Sequence, residues 1–356
     1  MAVFGCAGCG AVLTVPVSRV ALPVHARQNV GHDLLPALME PGTYAVDDEP
    51  SGPPWRPWSE IGAELASVRG VFAPVPALSF GAPGAVAVAP GDTRGTVLIP
   101  ERCDGYCLGL DGRDGPNLAC AGCGRPVATR IDDCTFWQAV WLDPRAVFRL
   151  PDDRAEHRTG RRTATVSGGR TPPEEPAGTP PMDASGRWNP RWEAAIGAAL
   201  APLLAASAGA AVDVADRLTA EFFARTLDAV LPAGPPARRV VLAGPGLPAP
   251  GSPRDIALVP LDPRTGTARQ PAGSADTVPL AAEVWTYLAF PRRQLPIPAT
   301  GGLPAGVLRD DPLPLHPTRL FEPDRRILLH ALARLPAVRR PWLRAIHDRL
   351  NAHPYG

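Results

Sequence analysis

The pentapeptide Cys6-Ala7-Gly8-Cys9-Gly10 recurs unchanged as Cys120-Ala121-Gly122-Cys123-Gly124. Two residues between thiols let one tight turn aim both sulfurs at a single ion. The glycine after the second cysteine permits a left-handed backbone and brings amides toward the sulfurs. Two such turns supply four thiolates, the closed tetrahedral shell of a structural Zn2+ site. All seven cysteines fall within the first 134 positions. The opening Met1-Ala2-Val3-Phe4-Gly5-Cys6 has neither a basic start nor an apolar run, so a cytoplasmic, reducing setting is expected. There, metal ligation is favoured over disulfides.

Each turn resembles the knuckle of zinc-ribbon and rubredoxin-type proteins, and the resemblance covers these two pentapeptides with at most the strands that follow. It implies that Cys6, Cys9, Cys120 and Cys123 ligate one metal ion within a small β element. Zinc is the expected ion, although iron takes the same ligands. The departure lies in the spacing, because 110 residues separate Cys9 from Cys120. Closing such a loop costs about 4 kcal/mol. Structural zinc offers roughly 10–16 kcal/mol, so the closure is tolerable.

A local alternative competes. Cys103-x3-Cys107-x12-Cys120-x2-Cys123 also provides four thiolates, around a central loop of only 12 residues. Its closure is about 2 kcal/mol cheaper. Against it, Cys103 and Cys107 lack the knuckle spacing and the trailing glycine. It would also strand Cys6 and Cys9, unless Cys134 with His25 or His32 completed a second site. Otherwise Cys103, Cys107 and Cys134 read as small buried hydrophobes.

Other chemistry is thinly signalled. Asp104, Asp111, Asp114, Asp132 and Asp133 crowd the cysteine segment, but Asp111-Gly112 and Asp114-Gly115 have the form of tight turns. No HExxH, GxSxG or GxGxxG sequence occurs. Val241-Leu242-Ala243-Gly244-Pro245-Gly246 ends a strand without a helix signal after it, which argues against a phosphate loop. All 36 cations are arginine, which excludes a Schiff-base lysine and a lysine-bearing phosphate loop. The Arg, Ala, Gly and Pro excess fits the codon bias of a G+C-rich, bacterial genome.

Charge is divided unevenly. Residues 1–150 carry 11 Arg against 15 acids, whereas 186–356 carry 20 Arg against 14 acids. Arg339, Arg340, Arg344, His347 and Arg349 give the tail a mildly basic helix, the one hint of an anionic partner. Residues Ala194 to Val212 are uncharged, but their many alanines and Pro202 favour a buried helix pair over a membrane span.

The elements that must position these residues follow from patterning. In 1–150, Ala11–Val15, Ala85–Val88 and Thr96–Ile99 read as strands. Trp58–Arg69 reads as a helix burying Ile61, Leu65 and Val68, and Phe136, Trp137, Val140 and Trp141 read as core. Residues 151–185 contain no Leu, Ile, Phe, Trp or Tyr and read as a disordered linker. Beyond it, Trp192, Ile196, Leu200, Leu203 and Leu204 share a helix face. Val214, Leu218, Phe222, Leu227 and Val230 share a second, capped by Asp213, which predicts a helical hairpin. Strands at 240–243 and 256–261, a turn at Asp262–Gly266 and a helix near 280–289 follow. Residues 291–322 are Pro-rich and irregular, and two helices start near Pro323 and Pro341.

The expected fold class is α+β: a β-rich, zinc-stabilised domain at 1–150, the linker at 151–185, and a mixed domain at 186–356. The expected function is that of a non-enzymatic zinc protein working through a protein partner. Nucleic-acid binding through the zinc module or the basic tail is the alternative. A metal-dependent hydrolase using His25, His32 or the nearby aspartates is the third reading.

Overall fold

The structure, a computed structural model, describes residues 1–26, 34–106, 108–151, 179–183, 186–268, 276–290, 317 and 319–352. The fold is α+β. The chain divides into two compact units. The first comprises Met1–Gly62, Pro76–Glu175 and Arg264–Gly266, and the second Ala63–Val75, Pro176–Pro263 and Thr267–Gly356. Most of the expected linker, and His32 and Cys107, lie outside the described residues, as does most of the Pro-rich stretch.

In chain order residues 1–150 contribute β1 (Phe4–Cys6), β2 (Ser18–Arg19), β3 (Thr43–Asp47), β4 (Trp55–Pro57), α1 (Trp58–Val68), β5 (Ala77–Ser79) and β6 (Ala85–Val88). Then come β7 (Thr96–Leu98), β8 (Leu118–Cys120), β9 (Pro126–Ile131), β10 (Ala139–Leu142) and β11 (Val147–Arg149). Seven strands form one sheet in the order β2-β3-β6-β10-β9-β8-β7, while β1 pairs with β11 and β4 with β5. The interior strand Ala85-Val86-Ala87-Val88 is buried throughout, because both faces of the sheet are covered. Val86, Val88, Val140 and Leu142 meet Phe4, Leu13 and Val17 of the N-terminal segment. On the other face Ala87, Ala139 and Trp141 pack with Leu35, Leu38, Met39 and Trp137. The expected aromatic core is thus present on one face, where Phe136 stacks on Trp55 at 4.0 Å, while Val140 packs on the other.

Two expectations in this part are corrected. Ala11–Val15 forms isolated bridges, Gly5 to Val12 and Thr14 to Thr93, and no continuous strand. In α1 the buried residue is Ala66, while Leu65 and Val68 are exposed. Gly62 explains this, since its φ of 73° and ψ of 164° interrupt the helix, so the phase set by Ile61 does not carry forward.

The second part contributes α2 (Pro190–Ser207), β12 (Val212–Val214), α3 (Arg217–Val230), β13 (Arg238–Leu242), β14 (Ile256–Pro260), β15 (Asp276–Leu280), α4 (Ala282–Ala289), α5 (Arg325–Arg334) and α6 (Pro341–Ala352). β12 to β15 make a four-stranded sheet in sequence order, with every pair parallel. The predicted helical hairpin is therefore replaced by helix, strand, helix. Val212–Val214 pairs with Arg238–Val240, so Asp213 lies in a strand. The cap of α3 is Asp216, whose carboxylate accepts the Thr219 amide at 2.7 Å. The α2 face is as expected: Trp192, Ile196, Leu200, Leu203 and Leu204 are buried against Phe222, Leu258, Val278, Leu328 and Leu343. Among the described residues no helix is long and apolar enough to cross a membrane.

Candidate metal centre

Both CxxCG turns are built the same way, and the likeness extends past the repeated letters. Cys6 ends β1 and Cys120 ends β8. The Cys6 amide donates to the Ala11 carbonyl and the Gly10 amide to the Cys6 carbonyl, both at 2.8 Å. The Cys120 amide donates to the Arg125 carbonyl and the Gly124 amide to the Cys120 carbonyl, again at 2.8 Å. Gly10 has φ 74° and Gly124 φ 73°, the left-handed conformation that closes each turn at no Cβ cost.

The neighbouring strands repeat too. Cys6 stands opposite Val147 in β11, and Cys120 opposite Thr96 in β7. One residue on, the Ala7 amide donates to the Ala146 carbonyl and the Ala121 amide to the Gly95 carbonyl, both at 2.9 Å. Each knuckle is thus anchored by a returning segment on one side and a neighbouring strand on the other. Sequence reading missed these anchors, because Gly95 and Ala146 carry no side-chain signature and pair over long range.

The four sulfurs converge. The Sγ atoms of Cys6, Cys9, Cys120 and Cys123 all lie within 4.8 Å of one another. Cys6 Sγ is 3.6 Å from Cys123 Sγ, and Cys9 Sγ is 3.6 Å from Cys120 Sγ. Four sulfurs held about 2.3 Å from a central Zn2+ form a tetrahedron with edges of about 3.8 Å, so the spacing fits such an ion. Gly8 is needed here for a second reason. A Cβ on it would stand 3.3 Å from Cys123 Sγ and 3.6 Å from Cys6 Sγ. Its amide points to Cys6 Sγ at 3.4 Å.

Cys6 and Cys120 are fully buried, whereas Cys9 and Cys123 are exposed. Burial pushes the Cys6 thiol up, but the amides of Gly8 and Cys9 and the thiols of Cys123 and Cys120 outweigh it and bring it to about 7. At Cys9 the Ala11 amide pulls downward, but the thiols of Cys120 and Cys123 prevail and push it up to about 12. Cys6 is thus pulled toward the thiolate while Cys9 is held toward the thiol. A cation among the sulfurs favours the thiolate form.

The other sulfur-bearing candidates are elsewhere. Cys103 Sγ donates to the Ile99 carbonyl at 3.1 Å, and burial, then the charges of Asp104 and Glu101, push its thiol up. Cys120 and Cys123 are thus joined by Cys6 and Cys9 rather than by Cys103. Cys134 is buried and also outside the cluster. His25 Nδ1 sits 2.9 Å from the Pro23 carbonyl, and its ring packs 5.4 Å from that of Trp141.

The aspartates organise turns. Asp111 accepts the Tyr106 and Arg113 amides at 3.1 Å each and pairs with the Arg113 guanidinium. Burial pushes its carboxyl up, yet Arg113 and the two amides hold it below the usual value. Asp133 accepts the Thr135 amide and hydroxyl, at 2.8 and 2.7 Å, and Asp132 pairs with Arg130.

In the second unit, Gly244 and Gly246 are close under Trp285 and Phe290, where a Cβ would meet the rings at 2.7 and 2.9 Å. The basic tail is partly engaged within its own unit. Arg339 donates to Ser67 and covers the Phe72 ring, Arg344 pairs with Asp348, and Arg349 donates to the Val230 carbonyl.

Comparison with known protein families, with curated proteins and with solved structures finds no match for this chain.

Proposed function

We propose that Cys6, Cys9, Cys120 and Cys123 bind one Zn2+ as a structural site, and that the protein acts, without catalysis of its own, through a protein partner in the reducing cytoplasm. The observation that carries the reading is the convergence of four cysteine sulfurs within 4.8 Å. Four protein thiolates complete a tetrahedron and leave the ion no open position at which to activate water, unlike a catalytic zinc. A hydrolase using His25 or the aspartates is disfavoured, because these side chains stand outside the sulfur cluster and Asp111 and Asp133 hold turns.

The partner reading is supported by an exposed apolar loop in the first unit. Tyr106 is 74% and Leu108 57% exposed, next to a loop held by Asp111, and Val97 and Leu98 of β7 are also exposed. Exposed apolar groups are the kind of surface a protein partner covers. Nucleic-acid binding has less support, since Arg339, Arg344 and Arg349 are drawn into contacts of their own unit.

The testing experiment is metal analysis of the purified protein and its variants. About one zinc per chain is expected. Cys6→Ser and Cys123→Ser should lose it and Cys103→Ser should keep it. Full retention in Cys6→Ser would sink the reading. For the partner, any protein that co-purifies with the chain should be lost from a Tyr106→Ser, Leu108→Ser double variant that keeps its zinc; equal retention would argue against this loop.

A further inference from the structure

Two close sulfur contacts have a common character: each joins a buried sulfur of one knuckle to an exposed sulfur of the other. Buried Cys120 meets exposed Cys9, and buried Cys6 meets exposed Cys123, at 3.6 Å in both cases. The residues around the exposed pair, Ala7, Gly8, Gly10, Ala121, Gly122 and Gly124, are themselves exposed and carry nothing larger than a methyl group. Arg125, whose stem passes near Gly8, sends its guanidinium to the Arg145 carbonyl at 3.0 Å. A small oxidant therefore has an open approach to Cys9 and Cys123 and none to Cys6 and Cys120.

Resting on the ligand assignment above, we infer that the metal centre is also a thiol switch. A peroxide converts it into two disulfides that cross between the knuckles, Cys9–Cys120 and Cys6–Cys123, and the ion leaves while the knuckles stay joined. In the first step the Cys9 thiolate attacks one peroxide oxygen. The O–O bond breaks, a sulfenic acid forms, and the departing hydroxide takes a proton to become water. The Cys120 thiolate then attacks the Cys9 sulfur. The S–S bond forms as the S–O bond breaks, and the second hydroxide is protonated to water. Cys123 and Cys6 react in the same way. Together four thiolates give four electrons to two peroxides, with uptake of four protons and release of four waters. All four ligands are consumed, so no thiolate remains to hold the ion.

The crossed pairing has a mechanical consequence. Disulfides within each CxxC turn would release the ion and untie β1 from β8. Crossed disulfides replace the ion by covalent links at the same place, so the oxidised, metal-free protein keeps the N-terminal segment on the sheet.

The test begins with the metal content of the purified full-length protein; a value far below about one per chain overturns the ligand assignment itself. The same protein is then titrated with hydrogen peroxide without reductant. Zinc release is followed with a chromogenic chelator, and disulfides are mapped by tryptic digestion under non-reducing conditions. The expected result is loss of the metal, with peptide 1–19 joined to peptide 114–130 and fragments placing the bonds at Cys6–Cys123 and Cys9–Cys120. The oxidised protein should keep the thermal transition that the reduced, chelator-stripped protein loses. Disulfides within each peptide, the opposite pairing of Cys6 with Cys120, sulfinic acids without linkage, or metal retained under excess peroxide would each overturn the switch while leaving the ligand assignment standing.

Discussion

Cys6 Sγ and Cys123 Sγ stand 3.6 Å apart across 117 positions of the chain, and they do so from two different sheets. Cys6 belongs to the β1–β11 pair, whereas Cys123 follows β8 of the seven-stranded sheet. An ion bound there would fasten the N-terminal segment, with Phe4, Leu13 and Val17, onto the sheet face formed by Val88, Val140 and Leu142.

That arrangement predicts where the loss of metal is felt. In Cys6→Ser the metal content should fall from about one per chain to near zero. Structural zinc contributes roughly 10–16 kcal/mol in small zinc peptides, so a destabilisation of several kcal/mol is expected here, where strands share the load. Amide hydrogen exchange locates it: the amides of Ala2, Leu13 and Val17, bonded to Val17, Phe4 and Ala2, should lose protection first. Unchanged protection at these three would separate the ion from the packing of the segment.

The likeness of the two knuckles makes a matched prediction. Gly10 and Gly124 share a left-handed φ of 74° and 73° and the same closing hydrogen bond. A Cβ at either position meets nothing within 4 Å, so the cost of alanine is conformational alone. Gly10→Ala and Gly124→Ala should each destabilise by about 1–2 kcal/mol, and by similar amounts. Urea denaturation of the zinc-loaded protein reads both, and a marked inequality would refute the equivalence of the turns.

The legibility of the sequence follows the same division between local and distant causes. The knuckles could be read because a five-residue pattern encodes a turn by itself, and the α2 face because Trp192, Ile196, Leu200 and Leu203 repeat at helical spacing. The choice of Cys6 and Cys9 over Cys103 could not be settled from spacing, since loop entropy favoured the nearer pair and long-range strand pairing overrode it. Gly62 was visible in the sequence, but its conformation, and hence the loss of the α1 face, was not. The parallel sheet was missed for a related reason. β15 is the five-residue Asp276–Leu280, and a parallel neighbour is joined through distant chain.

The correction at α3 is testable by itself. Asp213 and Asp216 both precede an apolar helical run, and only Asp216 caps it, accepting the Thr219 amide at 2.7 Å and its hydroxyl at 2.8 Å. Asp216→Ala should cost about 1 kcal/mol. Asp213→Ala, at an exposed strand position, should stay within about 0.5 kcal/mol of the parent. Thermal or urea unfolding compares them, and a larger loss at Asp213 would restore the helical-hairpin reading.

His347 sets a pH dependence in the second unit. It is fully buried on α6, with Leu343 and Ile346 on the same face. Burial lowers its pKa below the usual 6.5; Asp348, at 3.2 Å from Nδ1, pulls the other way without prevailing, and Arg344 reinforces the lowering. The folded state thus favours the neutral ring more than the unfolded chain does. Its stability contribution is complete above the unfolded value of about 6.5 and is lost as pH falls through the lower folded value. Acidification should therefore destabilise this unit, with up to about one extra proton taken up on unfolding in that window. A separate acid loss is expected at Asp348, whose carboxyl burial pushes up but Arg344 and His347 hold below the usual 3.8, so its window lies at lower pH. His347→Gln should flatten the dependence in the upper window and weaken the lower one, since Asp348 then keeps only Arg344 to hold its carboxyl down. Urea midpoints measured across both windows decide it; an unchanged slope near the histidine window would show that another group carries the proton.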